Sequence, residues 1–195
     1  MSLTSITIKG IRLSTASLME DYRRYYHLES YLFDEVGPKF REHGVLSAYD
    51  FFCIVNWMDS HWKSRIRNLL QAKGEGNLDV SVAKLAKELW KKKSPKDKLA
   101  YLMEDWRFHL PVASTILAVL QPQDFTITDK RVCKIIRSPE MQGMVWSDLL
   151  WKKYLEYKRK VEQQAPNNLS LRDKHQWLSG KAFHDSQKQW LTEKP

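Results

Sequence analysis

Few residues of this chain are placed to do chemistry. The six histidines stand at 27, 43, 61, 109, 175 and 184, and no two are four apart, so the paired imidazoles that hold zinc on one helix face are missing. Cys53 and Cys133 sit inside the apolar runs DFFCIVNW and RVCKII without a partner motif, which predicts neither a disulfide framework nor a metal site. No glycine-rich phosphate loop, Gly-x-Ser-x-Gly elbow or Cys/His nucleophile signature occurs, which excludes most familiar kinases, dinucleotide enzymes and hydrolases. No cofactor and no metal are expected. What stands out is Asp129, which follows the apolar run VASTILAVL and the polar QPQDFTI and has Lys130 and Arg131 directly behind it. A carboxylate there can serve acid–base or charge-stabilising chemistry. It can equally be a first-turn acid favoured by the helix dipole, or the partner of Arg131.

Cations interleave with aromatic residues in YRRYYH at 22–27, HWKSRIR at 61–67 and WKKYLEYKRK at 151–160. On helices such cations, among them Lys63, Arg65 and Arg67, can neutralise phosphates while Trp or Tyr stacks on an exposed base. The same pattern arises when the rings face the core and the cations are solvated. Across 195 residues, 32 Lys and Arg stand against 23 Asp and Glu, a formal charge of +9. That excess favours a polyanionic partner, nucleic acid first.

The elements that must position these groups read as helices. A hydrophobic content of 43% is ample for a core, and the length fits one unit, 1–195, with a short extended arm at 1–14 from SITIKGIRL. Ser17 is predicted to cap a helix over LMEDYRRYYHLESYLFDEV, Gly37-Pro38 to break or kink it, and Gly44 to end KFREHG. Ser47 caps AYDFFCIVNW, with Phe51, Ile54 and Val55 on one face, and Trp62, Ile66, Leu69 and Leu70 mark an amphipathic helix with a basic outer face. After a KGEGN turn, Leu78, Val82, Leu85 and Leu89 mark another, and Ser94-Pro95 starts the next. Ser147 caps DLLWKKYLEYKRKVEQQ, whose stripe is Leu150, Tyr154, Tyr157 and Val161; Ser170 caps LRDKHQWL, which Gly180 closes ahead of a short terminal helix. The fold class is all-α, with about nine or ten helices. The start lacks a leader-like apolar segment and no run is long enough to cross a bilayer, so a cytoplasmic protein with no membrane partner is expected.

Two helices joined tightly can direct backbone N–H groups at a DNA phosphate, and a carboxylate just past the hairpin can reach the bound strand. Over 97–137 the chain resembles the helix-hairpin-helix DNA glycosylase superfamily: VASTILAVL matches its apolar helix, QPQDFTI its loop, and Thr128-Asp129-Lys130-Arg131-Val132 its Asp-bearing segment. A bacterial branch that lacks the catalytic lysine is more similar still, on Asp129 to Val132, Tyr154 with Tyr157, and Leu171-Arg172 with Trp177. The strong part of the likeness covers roughly 105–180. The resemblance implies two helical lobes with a groove between them, Asp129 as catalytic acid, and Lys130, Arg131, Lys63, Arg65, Arg67 and Ser114 as DNA contacts. Two departures bear on activity. His109-Leu110-Pro111, or Leu110-Pro111-Val112, stands where the superfamily has its hairpin glycines, and the lysine of bifunctional members falls at Ala113 or Ser114. Without that amine no Schiff base forms and no lyase activity is expected. The function expected is duplex DNA binding in a repair-like role with monofunctional base excision. The alternative is a non-catalytic helical scaffold for a protein or small molecule.

Overall fold

The structure, a computed structural model, describes residues 21–74, 76–138, 141 and 143–192 in full, and within the arm the backbone of Thr7–Ile8 and Ile11–Arg12. Those two short strands, β1 and β2, pair antiparallel with Thr7 opposite Arg12. The rest of the arm, the expected cap Ser17 and Glu75 of the KGEGN turn lie outside the described residues. Among the described residues every other element is a helix, as the apolar periodicity predicts.

The first expected helix is broken into pieces. Helices α1 (Arg23–Tyr26) and α2 (Leu28–Ser30) part at His27, and a π turn, Tyr31–Val36, leads directly into α3 (Gly37–His43). Tyr31, Leu32, Phe33 and Val36 of that turn are all buried, a wider apolar sector than one α-helical stripe covers. Gly37-Pro38 carries the helix onward instead of breaking it. Pro38 sits in the first turn, where its missing N–H is not needed. A Cβ at Gly37 would stand 2.5 Å from the Val119 carbonyl oxygen, so glycine is what lets α3 lie against its neighbour. Gly44, at φ 66, ends α3 in the left-handed conformation.

Helices α4 (Ala48–Met58), α5 (Lys63–Lys73), α6 (Leu78–Lys91), α7 (Pro95–Glu104) and α8 (Leu110–Leu120) follow, with a single 3-10 turn, Ser60–Trp62, before α5. From Val112 to Leu120 every residue of α8 is buried. It is the axis of the fold, packed by α3, α4 and α7. Then come α9 (Lys130–Ile135), α10 (Asp148–Gln164) and α11 (Leu171–Thr192), with α11 packed on both α9 and α10. One buried apolar cluster runs from Tyr31 to Leu178. Gly180 does not end a helix: α11 passes through it as one rod of 22 residues, because its backbone stays helical and Leu178 and Ala182 on either side pack inward. Among the described residues no helix is long and apolar enough to cross a membrane.

Candidate functional site

Asp129 is positioned from a distance. The backbone of 126–129, between α8 and α9, is tied to two tyrosines three apart on α10, which therefore share one helix face. Tyr154 Oη donates to the Thr126 carbonyl at 2.8 Å and accepts from the Thr126 N–H at 3.0 Å. Tyr157 Oη donates to the Ile127 carbonyl at 2.8 Å and accepts from the Asp129 N–H at 3.4 Å. Burial pushes both phenols well above their ordinary range, so both remain donors. From the other side, Ser114 Oγ accepts from the Thr128 N–H at 3.1 Å and shares a hydrogen bond with the Thr128 hydroxyl at 2.9 Å. The Asp129 carboxylate then caps α9: Oδ1 accepts from the Arg131 N–H at 2.7 Å, and Oδ2 lies 3.4 Å from the Arg131 guanidinium. Of the structural roles open to it in the sequence, the partnership with Arg131 is present, whereas Asp129 stands one place before the first turn, as the N-cap of α9.

The same carboxylate lines a cleft of about 770 Å³, within the range of small-molecule and cofactor sites. Helix α4 ends on one side of it and α11 runs along the other. Its aromatic walls are Phe33, Trp57, Trp62, Phe125 and Phe183. Its charged groups are Glu29, Asp59 and Asp129 against Lys130, Arg131 and Arg172, a balanced set. The Arg172 guanidinium lies 3.8 Å over the Phe33 ring and 3.2 Å from Glu29 Oε1, which also accepts from Gln176. These contacts join the first helices of the chain to the last. His175, on α11, is buried; desolvation holds its imidazole below the ordinary histidine range, against the opposing pull of Asp129. At the margin, the His109 ring packs 5.2 Å from that of Trp62, with the Arg65 guanidinium 5.8 Å from the same indole. Burial first, and then Arg65, lowers the His109 pKa.

The sequence-predicted residues separate into three groups. Asp129, Lys130 and Arg131 come together at the cleft. Lys63, Arg65 and Arg67 are exposed on α5, outside its lining, with Arg65 reaching it through Trp62. Ser114, expected to touch DNA, is fully buried and its hydroxyl is spent on Thr128 and the Pro111 carbonyl. It is a positioning residue for the Asp129 loop. Ala113 is equally buried. His109 caps α8 without a side-chain bond, and Pro111, in the first turn, has no N–H to offer an anion. Of the three aromatic and basic stretches, WKKYLEYKRK turns Tyr154 and Tyr157 into the core, whereas YRRYYH leaves Tyr22 and Tyr26 exposed.

Sequence reasoning missed Glu29, Phe33 and His175, and gave Arg172 only as part of the family likeness. His175 carried a signal, for it lies on the stripe of Leu171, Leu178 and Ala182, where a polar residue is out of keeping with a buried face. Comparison of the chain with protein-family models, with curated proteins and with solved structures finds no match in any of the three.

Proposed function

We propose that the protein binds duplex DNA in a repair-like role, on a helix-hairpin-helix glycosylase-like fold, and takes an extruded nucleotide into the cleft beside Asp129. The observation that carries this reading is the carboxylate itself, fixed by Tyr157 and the first turn of α9 at the wall of an aromatic-lined cleft, with Lys130 and Arg131 next to it. A flipped base can lie against such walls, and phosphates flanking it can meet the two cations and those of α5. With no lysine at 113 or 114, the chemistry is monofunctional: Asp129 stabilises positive charge developing on the sugar and orients water while the bond to the base breaks. The carboxylate is 18% exposed, and with the cap on Oδ1 it keeps lone pairs that can do this without losing its capping role.

The test is binding to a duplex with a central abasic-site analogue and to the intact duplex over a range of salt, followed by base release from a panel of lesion-bearing duplexes. Lesion-preferring, salt-sensitive binding is expected. Asp129→Asn is expected to fold, because Asn caps a helix as well as Asp does, and to release no base. Equal base release by that variant removes Asp129 from the chemistry, and no binding at low salt removes DNA.

The balance of three acids and three cations around the cleft favours a second reading, a non-catalytic scaffold whose cleft holds a small molecule. Binding of an uncharged aromatic ligand without any DNA affinity would single it out.

A further inference from the structure

Buried polar atoms without a hydrogen-bond partner are uncommon in folded proteins, since each has given up water for nothing. Three such atoms belong to side chains that line the cleft: Thr126 Oγ1, Arg172 Nε and His175 Nε2. Arg172 and His175 are three apart on α11 and share a face. Thr126 sits in the segment pinned by Tyr154, so neither side of this set is free to relax away. His175 is only 9% exposed. Asp129 and Glu29 favour its charged form, but burial, joined by Arg131, outweighs them and favours the neutral ring. A neutral imidazole offers one donor and one acceptor, and either long edge of the ring carries one of its two nitrogens.

We infer that His175 is the specificity-determining residue of the cleft, hydrogen-bonding the polar edge of a planar, uncharged nitrogen heterocycle that lies against the aromatic walls. This rests on the reading of the cleft as a pocket for an extruded nucleotide. Planarity follows from Trp57 and Trp62, whose rings favour a flat partner; the Phe33 ring already carries the Arg172 guanidinium. Absence of charge follows from a lining with as many acids as cations and a ring that burial keeps neutral. The polar edge follows from the unpartnered atoms: the Arg172 Nε–H needs an acceptor, and His175 and Thr126 can each take a donor. A ligand of the right shape without such an edge leaves all three unpaired, and that penalty is what makes the site selective.

The test is calorimetric titration of the full chain with free uracil and free hypoxanthine, and in a separate arm with the abasic-analogue duplex. Both bases are expected to bind, and His175→Phe to weaken them about tenfold or more, whereas His175→Gln, which keeps a donor and an acceptor, retains most of the affinity. If His175→Phe does not melt cooperatively, the Gln variant decides: a changed ratio of uracil to hypoxanthine affinity supports the inference and an unchanged ratio overturns it. Equal base affinity in a folded His175→Phe protein also overturns it. Duplex binding without base binding defeats the role of His175 and leaves the DNA reading standing. Base binding that depends on His175, without duplex binding, defeats the DNA reading and leaves the ligand class standing.

Discussion

Two hydroxyl groups decide where Asp129 stands. Tyr157 Oη serves both the Ile127 carbonyl and the Asp129 N–H, so Tyr157→Phe strands two backbone groups in a partly buried place while keeping the ring. A loss of about 1–3 kcal/mol of stability is expected in urea denaturation, together with a weaker effect of any later Asp129 substitution on ligand binding. An unchanged midpoint would mean that Tyr154 and Ser114 hold the loop without it. The sequence made Asp129 conspicuous because its signal is local, a carboxylate before two cations after an apolar run. It showed Tyr154 and Tyr157 only as members of an apolar stripe, since their polar partners lie 28 to 30 residues away. Ser114 was misassigned for a related reason. A helix buried all round offers no polar face from which to tell which side meets a ligand, and α8 is such a helix.

Helix starts were readable because caps are local. Ser47, Ser94 and Ser147 accept from the N–H groups of Asp50, Asp97 and Leu150, three residues on, as the sequence predicts, and Ser170 does the same for Asp173. Asn77, which caps α6 through Asp79 and Val80, fits the same rule. Helix interiors and ends were less readable where tertiary contacts override propensity. The π turn at Tyr31–Val36 answers to the width of the core it faces, and Gly180 stays helical because Leu178 and Ala182 hold the chain on either side. A Cβ at Gly180 would meet nothing within 4 Å. Gly180→Ala is therefore expected to raise stability by about 0.5–1 kcal/mol, seen as a higher thermal midpoint. A lower midpoint would show that the helix needs glycine there for a bend.

An early helix and the last one meet where Glu29 of α2 joins Arg172 and Gln176 of α11, and His175 is buried beside that junction. Burial lowers the pKa of His175 and of His109, so in the unfolded chain both take up protons near the ordinary histidine value, while in the folded protein they do so only at lower pH. Stability is therefore complete above about pH 6.5, declines as pH falls through that value, and levels off once the folded histidines also charge. Denaturation curves at neutral and mildly acid pH are expected to show this decline, and His175→Gln to reduce it; an equal decline in that variant would assign it elsewhere. The rod of α11 carries a mechanical consequence. At 22 residues it is about 33 Å long; it is built into the cleft from Arg172 and His175 as far as Phe183, while Trp190 and Leu191 near its end stand in solvent. The last turns thus project beyond Ala182, the final buried residue of the helix, and a pull on them is carried along one continuous rod to the wall of the cleft.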